Sequence, residues 1–309
     1  MELPLRANNR KPAPSRLAAL VLGSLAMLAT PGGRAVAGSE GIGTPPDELK
    51  TKLKLSAFYK KCLLADGLAI VASHKVSDYA LFEARYIVDR MLEGRPDIRR
   101  AIVDGKVRLA IMAADEFNTD IPEHSDLKPA RYWNRRARGL GATSVRPAVS
   151  CGEENLLGFD GDPYRAENIL VHEFGHVVHE IGMAGVDRTF DRRLKETYEA
   201  ALERGLWKDT YAATNRSEYW AEGVQSWFHC NRTNDKQHNH VATREQLQEY
   251  DAGLADLLTE VFRDNDWIYT RPEKRADQAH LRGFDRDLAP RFAWPADLVN
   301  ALEDSQPQP

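Results

Sequence analysis

Two histidines four positions apart in an apolar segment, His172 and His176, constrain the fold of this 309-residue chain more than any other feature. Residues i and i+4 lie one turn apart on the same face of a helix, so both imidazoles point the same way. The surrounding residues 168–181 are mostly apolar, which predicts a buried helix that ends at Gly182. Because two imidazoles on one helix face can bind a single ion at about 2.0–2.1 Å each, the segment predicts half of a metal site.

A glutamate, Glu173, follows the first histidine and completes the pattern His-Glu-Phe-Gly-His. On a helix, this pattern is a signature of zinc metallopeptidases, in which the glutamate is the general base. Glu173 lies one residue beyond His172, so its carboxylate points beside the metal rather than at it. The alternative is that both histidines are core residues and the glutamate is solvated, since a five-residue match can arise by chance.

The third ligand must lie outside this motif, because a catalytic zinc usually has three protein ligands and one open position. The extended pattern HExxHxxGxxH does not apply, since the chain has His179 and Gly182 in the reverse order. His179 also lies about 4.5 Å further along the helix axis than His176. It therefore does not easily complete the same tetrahedron.

Glu218 is the better candidate for the third ligand. It lies four residues before Glu222, so both carboxylates face one side of a helix predicted to begin near Ser217. Glu218 would bind the metal, and Glu222 would accept the free N–H of a ligating histidine and fix its tautomer. The alternative is that Asn215 caps this helix, Glu218 completes a capping box and both carboxylates contact solvent.

The two motifs together resemble the catalytic domain of anthrax lethal factor and its metallopeptidase relatives. The resemblance covers about residues 168–228, where HEFGH is followed by the spacing Tyr-x6-Glu-x3-Glu. The matching residues are His172, Glu173, His176, Tyr211, Glu218 and Glu222. The first half of the chain does not resemble the toxin, so the toxin's substrate preference is not carried over.

The resemblance implies a role for each matching residue. His172, His176 and Glu218 would bind one catalytic Zn²⁺. Glu173 would be the base, and Tyr211 would stabilise the oxyanion or protonate the leaving group. The roles of His172, Glu173, His176 and Glu218 agree with those expected from the spacing, whereas the role of Tyr211 is implied by the resemblance alone.

The first half of the chain predicts a small sheet backed by helices. Residues 68–72 and 107–112 are short apolar runs that predict buried strands. Between them, Ser77 begins a segment of helical periodicity that ends before Gly94. A further strand is predicted at residues 155–159, where it could hold an extended substrate by strand addition.

The second half predicts mainly helices. Besides the segment at 168–181, helical patterns begin near Asp187 and Ser217 and occupy residues 254–262. Together with the strands of the first half, they predict an α+β fold of the zincin type. It would consist of a small mixed sheet with the active-site helix and a mainly helical C-terminal lobe.

The N-terminus predicts export. Basic residues precede an apolar run at residues 17–29, which is shorter than the about 20 residues needed to span a membrane. The predicted division is a signal peptide at 1–37, a flexible lead-in at 38–47, a catalytic domain at 48–303 with lobes at about 48–166 and 167–303, and a disordered tail at 304–309. We expect a secreted protein, extracellular or periplasmic, without membrane association after cleavage.

Composition argues against one class of partner and leaves other questions open. The net charge of -4 gives no electrostatic basis for nucleic acid binding. Cys62, Cys151 and Cys230 allow three single disulfide pairings, or three buried thiols. His238 and His240 could bind metal, but their polar loop favours solvated or hydrogen-bonded side chains.

These observations together predict a secreted zinc-dependent metalloendopeptidase. In this hypothesis, Glu173 assists the attack of a zinc-bound water on a peptide bond of a protein or peptide substrate. One alternative is a zinc amidase acting on cell-wall cross-links, which would need the same metal and base. The other is a zinc-binding module without catalysis, which the presence of Glu173 and Tyr211 disfavours.

Overall fold

The computed structural model describes residues 41–302. The predicted signal peptide with its cleavage after Ala37, the first residues of the lead-in and the predicted tail lie outside the described residues. Within the lead-in, the backbone of Gly43 exchanges hydrogen bonds of 3.1 and 2.7 Å with Cys62. This contact joins the start of the described chain to the sheet, while the division into two lobes stays a prediction.

A five-stranded mixed sheet forms the centre of the N-terminal half. Its strands are Lys61–Ala65 (β1), Leu68–Ala72 (β2), Arg108–Met112 (β3), Gly139–Leu140 (β4) and Ala148–Gly152 (β5). They lie in the order β1-β2-β3-β5-β4. The central strands β2, β3 and β5 are parallel, and β1 and β4 pair antiparallel at the edges. Every residue of the central strands is buried, as expected where helices cover both faces of a sheet.

Helices pack on this sheet and make up most of the C-terminal half. They are Asp47–Leu53 (α1), Asp78–Met91 (α2), Pro96–Asp104 (α3), Ala130–Arg136 (α4), Glu153–Leu157 (α5), Ile169–Val177 (α6), Ala184–Val186 (α7), Phe190–Glu203 (α8), Arg216–Trp227 (α9), Arg244–Tyr250 (α10) and Ala252–Phe262 (α11). Helix α6 continues into α7 through a π-helical stretch, Val178–Met183. It packs against β5 on one side and α9 on the other, which places it between the sheet and the helices.

The mixed α+β architecture is confirmed. Strand β2 coincides with the predicted run at 68–72, and β3 begins one residue after the predicted start at Val107. Helix α2 begins directly after Ser77. A single hydrophobic cluster joins the sheet to the helices and includes Phe174 of α6 and Trp220 of α9. No helix within residues 41–302 is both long and apolar enough to cross a membrane.

The predicted strand at 155–159 is wrong. Residues Glu153–Leu157 form α5, which ends at Gly158 in the left-handed region, with φ 68°. Two glutamates in its first turn favour the helix dipole, and a left-handed glycine is a common helix end. Asn155 instead supports the next helix, since its Oδ1 accepts a 2.8 Å hydrogen bond from the N–H of Ile169.

The prediction that Gly182 ends the helix of the two histidines is also wrong. The chain stays helical through this residue to Val186. A Cβ at position 182 would lie 2.7 Å from Cγ2 of Ile98. The glycine therefore serves the close packing of α3 against this helix rather than its termination.

The three cysteines form no disulfide. Cys62, Cys151 and Cys230 are buried free thiols, in agreement with the second of the two alternatives. Burial raises the pKa of the Cys62 thiol to about 11. These side chains therefore belong to the core and remain protonated at neutral pH.

Candidate metal centre

Two asparagines fix the start of α6. Asn168 Oδ1 accepts a 2.9 Å hydrogen bond from the N–H of Val171, and Asn155 Oδ1 accepts one from Ile169. These bonds satisfy donors that a helix leaves free at its N-terminus. Because α6 is buried along its whole length, its packing sets the direction of both histidine side chains.

Helix α9 lies close against α6. Asn215 caps it, since its Oδ1 accepts hydrogen bonds from the N–H of Ser217 at 2.8 Å and of Glu218 at 3.0 Å. A Cβ on Gly175, the glycine of HEFGH, would lie 3.3 Å from Cβ of Val224 on α9. The missing side chain lets the helices approach, and the carboxylate of Glu218 reaches the histidines.

The structure brings His172, His176 and Glu218 together. The Nε2 atoms of the two histidines lie 3.2 Å apart. Glu218 Oε2 lies 3.1 Å from Nε2 of His172 and 3.4 Å from Nε2 of His176. In the part of the chain that the structure describes, no other three histidine, cysteine or carboxylate side chains converge in this way.

These separations fit a zinc site. In a tetrahedron with metal–ligand distances of about 2.0–2.1 Å, neighbouring ligand atoms lie about 3.3 Å apart. The three observed edges of 3.1, 3.2 and 3.4 Å are close to that value. Two imidazoles and one carboxylate are also a ligand set of catalytic zinc sites. The three side chains can therefore hold a divalent metal ion.

Gln225 holds the outer nitrogen of His172. His172 Nδ1 donates a 2.9 Å hydrogen bond to Oε1 of Gln225, so its Nε2 is left as the ligand atom. The prediction that Glu222 accepts this proton is wrong, because its Oε1 lies 3.6 Å from Nδ1, beyond hydrogen-bond distance. Asn231 instead donates a 2.9 Å hydrogen bond to the other oxygen of Glu222.

The outer nitrogen of His176 is held in a similar way. Its Nδ1 lies 3.2 Å from Oγ of Ser217, and that hydroxyl lies 2.8 Å from Oε1 of Glu180, to which it donates. Nδ1–H of His176 can thus donate to the serine, since the hydroxyl proton is used by the carboxylate. Both rings then turn Nε2 toward the cluster.

The electrostatic potential at the cluster is negative. Burial by itself lowers the pKa of His172, but three carboxylates, led by Glu218, raise it to about 10. Burial raises the pKa of Glu218, but hydrogen bonds to His172 and His176 outweigh it and leave the pKa well below its usual value. A buried site with this potential favours a bound cation.

A cleft of about 620 Å³ opens over the cluster and is lined by Glu173 and Tyr211. Glu173 is buried, and burial raises its pKa. The ring of Tyr211 lies 6.2 Å from that of His172, between centroids. Burial, and then the charge of Glu218, raise the pKa of Tyr211. Its hydroxyl therefore stays protonated and can donate a hydrogen bond into the cleft.

The edge strand β4 and the residues after it form one wall of the cleft. A Cβ at Gly139 would lie 2.6 Å from Cγ2 of Ile169 and 3.0 Å from Cγ of Glu173. A Cβ at Gly141 would lie 3.1 Å from Cβ of His176. The two glycines let the strand lie directly on α6. The edge expected at residues 155–159 is therefore supplied by β4.

His238 lines the cleft and has a hydrogen-bonded side chain, one of the two states that its polar loop favours, but its burial was not predicted. It is only 6% exposed, with Nδ1 2.8 Å from Oδ1 of Asp235 and Nε2 3.4 Å from Oε2 of Glu222. The same loop supports Tyr211, whose N–H donates a 2.7 Å hydrogen bond to the carbonyl of Gln237. A polar loop has no periodicity from which such burial could be predicted.

The remaining histidines of the two motif regions lie outside the cluster. His179 Nε2 lies 3.0 Å from Oδ1 of Asp191, on the side of the helix that packs against Phe190. His240 is exposed, and its ring lies 5.5 Å from that of Tyr250. Neither residue belongs to the cluster of His172, His176 and Glu218.

No protein-family model matches the chain, and no curated protein is similar to it in sequence. Among solved structures, the PRO-PRO endopeptidase PPEP-2 from Paenibacillus alvei is similar, with a TM-score of 0.45 and 17% sequence identity. The match covers 64% of this chain and 99% of that chain. A likeness of this size carries no argument about chemistry, so the function rests on the residues of the cleft. The resemblance of residues 168–228 to lethal factor stays a prediction.

Proposed function

We propose that this protein is a zinc-dependent metallopeptidase that hydrolyses peptide bonds in protein or peptide substrates. The observation that supports this most directly is the convergence of His172, His176 and Glu218 at the separations of a tetrahedral zinc site. A structural zinc site has four protein ligands, whereas this cluster has three and opens into a cleft. Glu173 and Tyr211 line the same cleft, which favours catalysis over metal binding alone.

Each side chain of the cleft would have a separate role in the reaction. A Zn²⁺ ion, when bound, lowers the pKa of a coordinated water and polarises the substrate carbonyl. Glu173 accepts a proton from the attacking water and returns it to the leaving amine. Tyr211 donates a hydrogen bond to the oxygen on which negative charge develops. The outer nitrogens of both histidines stay fixed by Gln225 and Ser217 throughout.

The substrate chain would lie extended along β4. Within residues 41–302, the backbone groups of Gly141 and Ala142, directly after this strand, form no backbone hydrogen bond. A peptide that pairs with them gains main-chain hydrogen bonds without any requirement on its sequence. Assignment to the lethal factor-like, gluzincin type of metallopeptidase and export by residues 1–37 are parts of the same proposal.

The test compares metal content with the cleavage of casein. We expect the zinc-loaded protein to cleave casein and to lose this activity when a chelator is added. Glu173→Gln should bind one equivalent of zinc and have almost no activity. His172→Gln and Glu218→Gln should lose both the bound zinc and the activity. His179→Gln is a matched change outside the cluster, and it should keep the zinc and the activity.

Three outcomes would decide against this function. Full activity of Glu173→Gln would exclude the assigned base. A purified protein that carries no zinc and cannot be loaded with it would exclude the metal centre. Zinc-dependent hydrolysis of cell-wall cross-links without any cleavage of casein would favour the amidase alternative.

A further inference from the structure

Among the described residues, two arginines of the cleft have no acidic partner. Arg135 and Arg136 are the last residues of α4, and both line the cleft. Neither forms an ion pair with a carboxylate in the described part of the chain. The other arginine of the cleft, Arg232, lies 2.8 Å from Oε1 of Glu167. The wall formed by α4 therefore carries positive charge that no carboxylate within residues 41–302 neutralises.

Tryptophans hold both guanidinium groups in place. Cζ of Arg135 lies 4.5 Å from the ring centroid of Trp294, and Cζ of Arg136 lies 5.4 Å from that of Trp133. Stacking on an indole fixes the plane of a guanidinium and leaves its N–H edge free to donate. Nε of Arg135 is buried and has no hydrogen-bond partner within residues 41–302.

The carboxylates of the cleft are already used elsewhere. Glu218 belongs to the metal centre, Glu180 accepts a hydrogen bond from Ser217, and Glu222 accepts one from Asn231. None of them forms an ion pair with either arginine of α4. The anion that would complete this wall must come from outside the described chain.

Arg136 lies close to the residues proposed to act in catalysis. Arg136 lines the same cleft as Glu173 and Tyr211. Only two residues separate Arg136 from the start of β4. A peptide that lies along this strand therefore passes Arg136 near the bond that is cleaved.

We propose that Arg136, assisted by Arg135, binds a carboxylate of the peptide substrate close to the scissile bond. The substrates would be peptides with an Asp or Glu side chain, or a free C-terminal carboxylate, at this position. The inference rests on the proposed peptidase function and specifies its substrate class. A guanidinium edge matches a carboxylate with two parallel hydrogen bonds, and the adjacent second arginine strengthens the attraction.

The test uses fluorescence-quenched peptides in one alanine-rich background. Each position in turn carries Glu or Gln, and each peptide is made with a free or an amidated C-terminus. We expect zinc-loaded enzyme to cleave the Glu peptide at least about tenfold more efficiently than the Gln peptide at one position. If the free C-terminus is the ligand, the same ratio will appear between acid and amide termini instead.

Variants show whether Arg136 causes the preference. Arg136→Gln should bring the ratio of kcat/KM values close to one, and Arg136→Glu should favour a Lys peptide over the Glu peptide. Arg188→Gln removes an exposed arginine outside the cleft and should keep the wild-type ratio. A reversed preference is not expected from a merely structural change.

Binding separates this inference from the peptidase function. The Glu173→Gln protein, loaded with zinc, should bind a labelled Glu peptide more tightly than the Gln peptide in fluorescence anisotropy, and Arg136→Gln should remove the difference. Cleavage without any charge or terminus preference overturns the carboxylate subsite and leaves the peptidase intact. Preferential binding without any cleavage supports the subsite and removes the peptidase. Equal binding of all peptides overturns the subsite.

Discussion

At the scale of single residues, the proposed metal centre depends on side chains that need not contact an ion. Gln225 accepts the Nδ1 proton of His172, and Ser217 occupies the same place for His176. Such contacts fix the ring orientation and increase the basicity of the ligand nitrogen. Gln225 and Ser217 should therefore contribute to metal affinity, although neither is one of the three converging residues.

The first prediction concerns Gln225. Gln225→Met removes the acceptor of the His172 proton and keeps a side chain of similar length. We expect the dissociation constant for zinc to rise about ten- to a hundredfold, measured by competition with a chelating dye. Gln248→Met, an exposed change on α10, is the matched control. An unchanged constant would show that His172 does not need this hydrogen bond.

The second prediction concerns Tyr211. Tyr211 lines the cleft, and its raised pKa keeps the hydroxyl protonated, so Tyr211→Phe should remove one donor to the developing oxyanion. We expect kcat to fall by about 10² to 10³ with the zinc content unchanged. Loss of zinc in this variant would mean that the tyrosine supports Glu218 instead of the reaction.

The site residues that could be predicted from the sequence are those at a fixed spacing on one helix. The helical period predicts that His172 and His176 share one face. Glu218 was predictable because the two histidines need a third ligand and it lies on a second predicted helix. The contact of Gln225 and the burial of His238 could not be predicted, because they depend on how α9 and a polar loop pack on α6. Residue type and spacing carry no information about that packing.

At the scale of elements, glycine decides how closely β4 approaches α6. The sequence Gly139-Leu140-Gly141 lacks the β-branched pattern of a strand, so nothing local predicted an edge there. The apolar residues within 155–159 predict a strand, but the left-handed Gly158 and the acidic first turn favour helix α5. Tertiary packing determines strand β4, whereas local signals at the two helix ends determine α5.

The third prediction tests this approach. Gly139→Ala places a Cβ 2.6 Å from Ile169 and 2.8 Å from the carbonyl of Ser150, so β4 must shift away from α6. We expect a loss of about 1–3 kcal/mol in the free energy of unfolding and a lower kcat/KM. Gly41→Ala, where a Cβ meets nothing within 4 Å, should change neither. Wild-type stability and activity in Gly139→Ala would contradict the proposed tight fit.

The fourth prediction concerns Glu153, which joins three elements. Its carboxylate accepts hydrogen bonds from the N–H of Ser77 at 2.7 Å, before α2, and of Ala114 at 3.1 Å, after β3. Burial raises its pKa from 4.5 to about 7. The native state therefore binds more protons than the unfolded chain between these values, and stability falls as pH rises through this window.

Unfolding in urea at pH 5 and pH 8 measures this effect. The wild type should lose about 2.5 kcal/mol more than Glu153→Gln between the two pH values, because the amide does not ionise. Glu48→Gln, an exposed change in α1, should follow the wild type. Equal losses in the wild type and in Glu153→Gln would show that this carboxyl titrates normally.

At the scale of the whole molecule, helix α6 links the sheet to the C-terminal helices, and the candidate ligands lie on α6 and α9. The broad α+β class was predictable, since apolar runs and helical periods are local. The strand order β1-β2-β3-β5-β4 was not predictable, because β1, β4 and β5 have no clear signal in the sequence. An ion bound between the two helices would stabilise both halves together.

The fifth prediction follows from this arrangement. Removing zinc with EDTA should lower the melting temperature by about 5–10 °C, since a ligand that binds only the native state stabilises it by mass action. Differential scanning fluorimetry with and without EDTA measures the shift. His172→Gln should show no zinc-dependent shift, and a shift of wild-type size in this variant would place the ion elsewhere.

The buried thiols also make the folded protein convenient for labelling. Since Cys62, Cys151 and Cys230 are covered by the core, a maleimide reagent meets no accessible sulfur. Val145 is 85% exposed and lies two residues from the cleft-lining Thr143. A spectroscopic probe attached through Val145→Cys would therefore sit alone at the rim, with all native cysteines left in place.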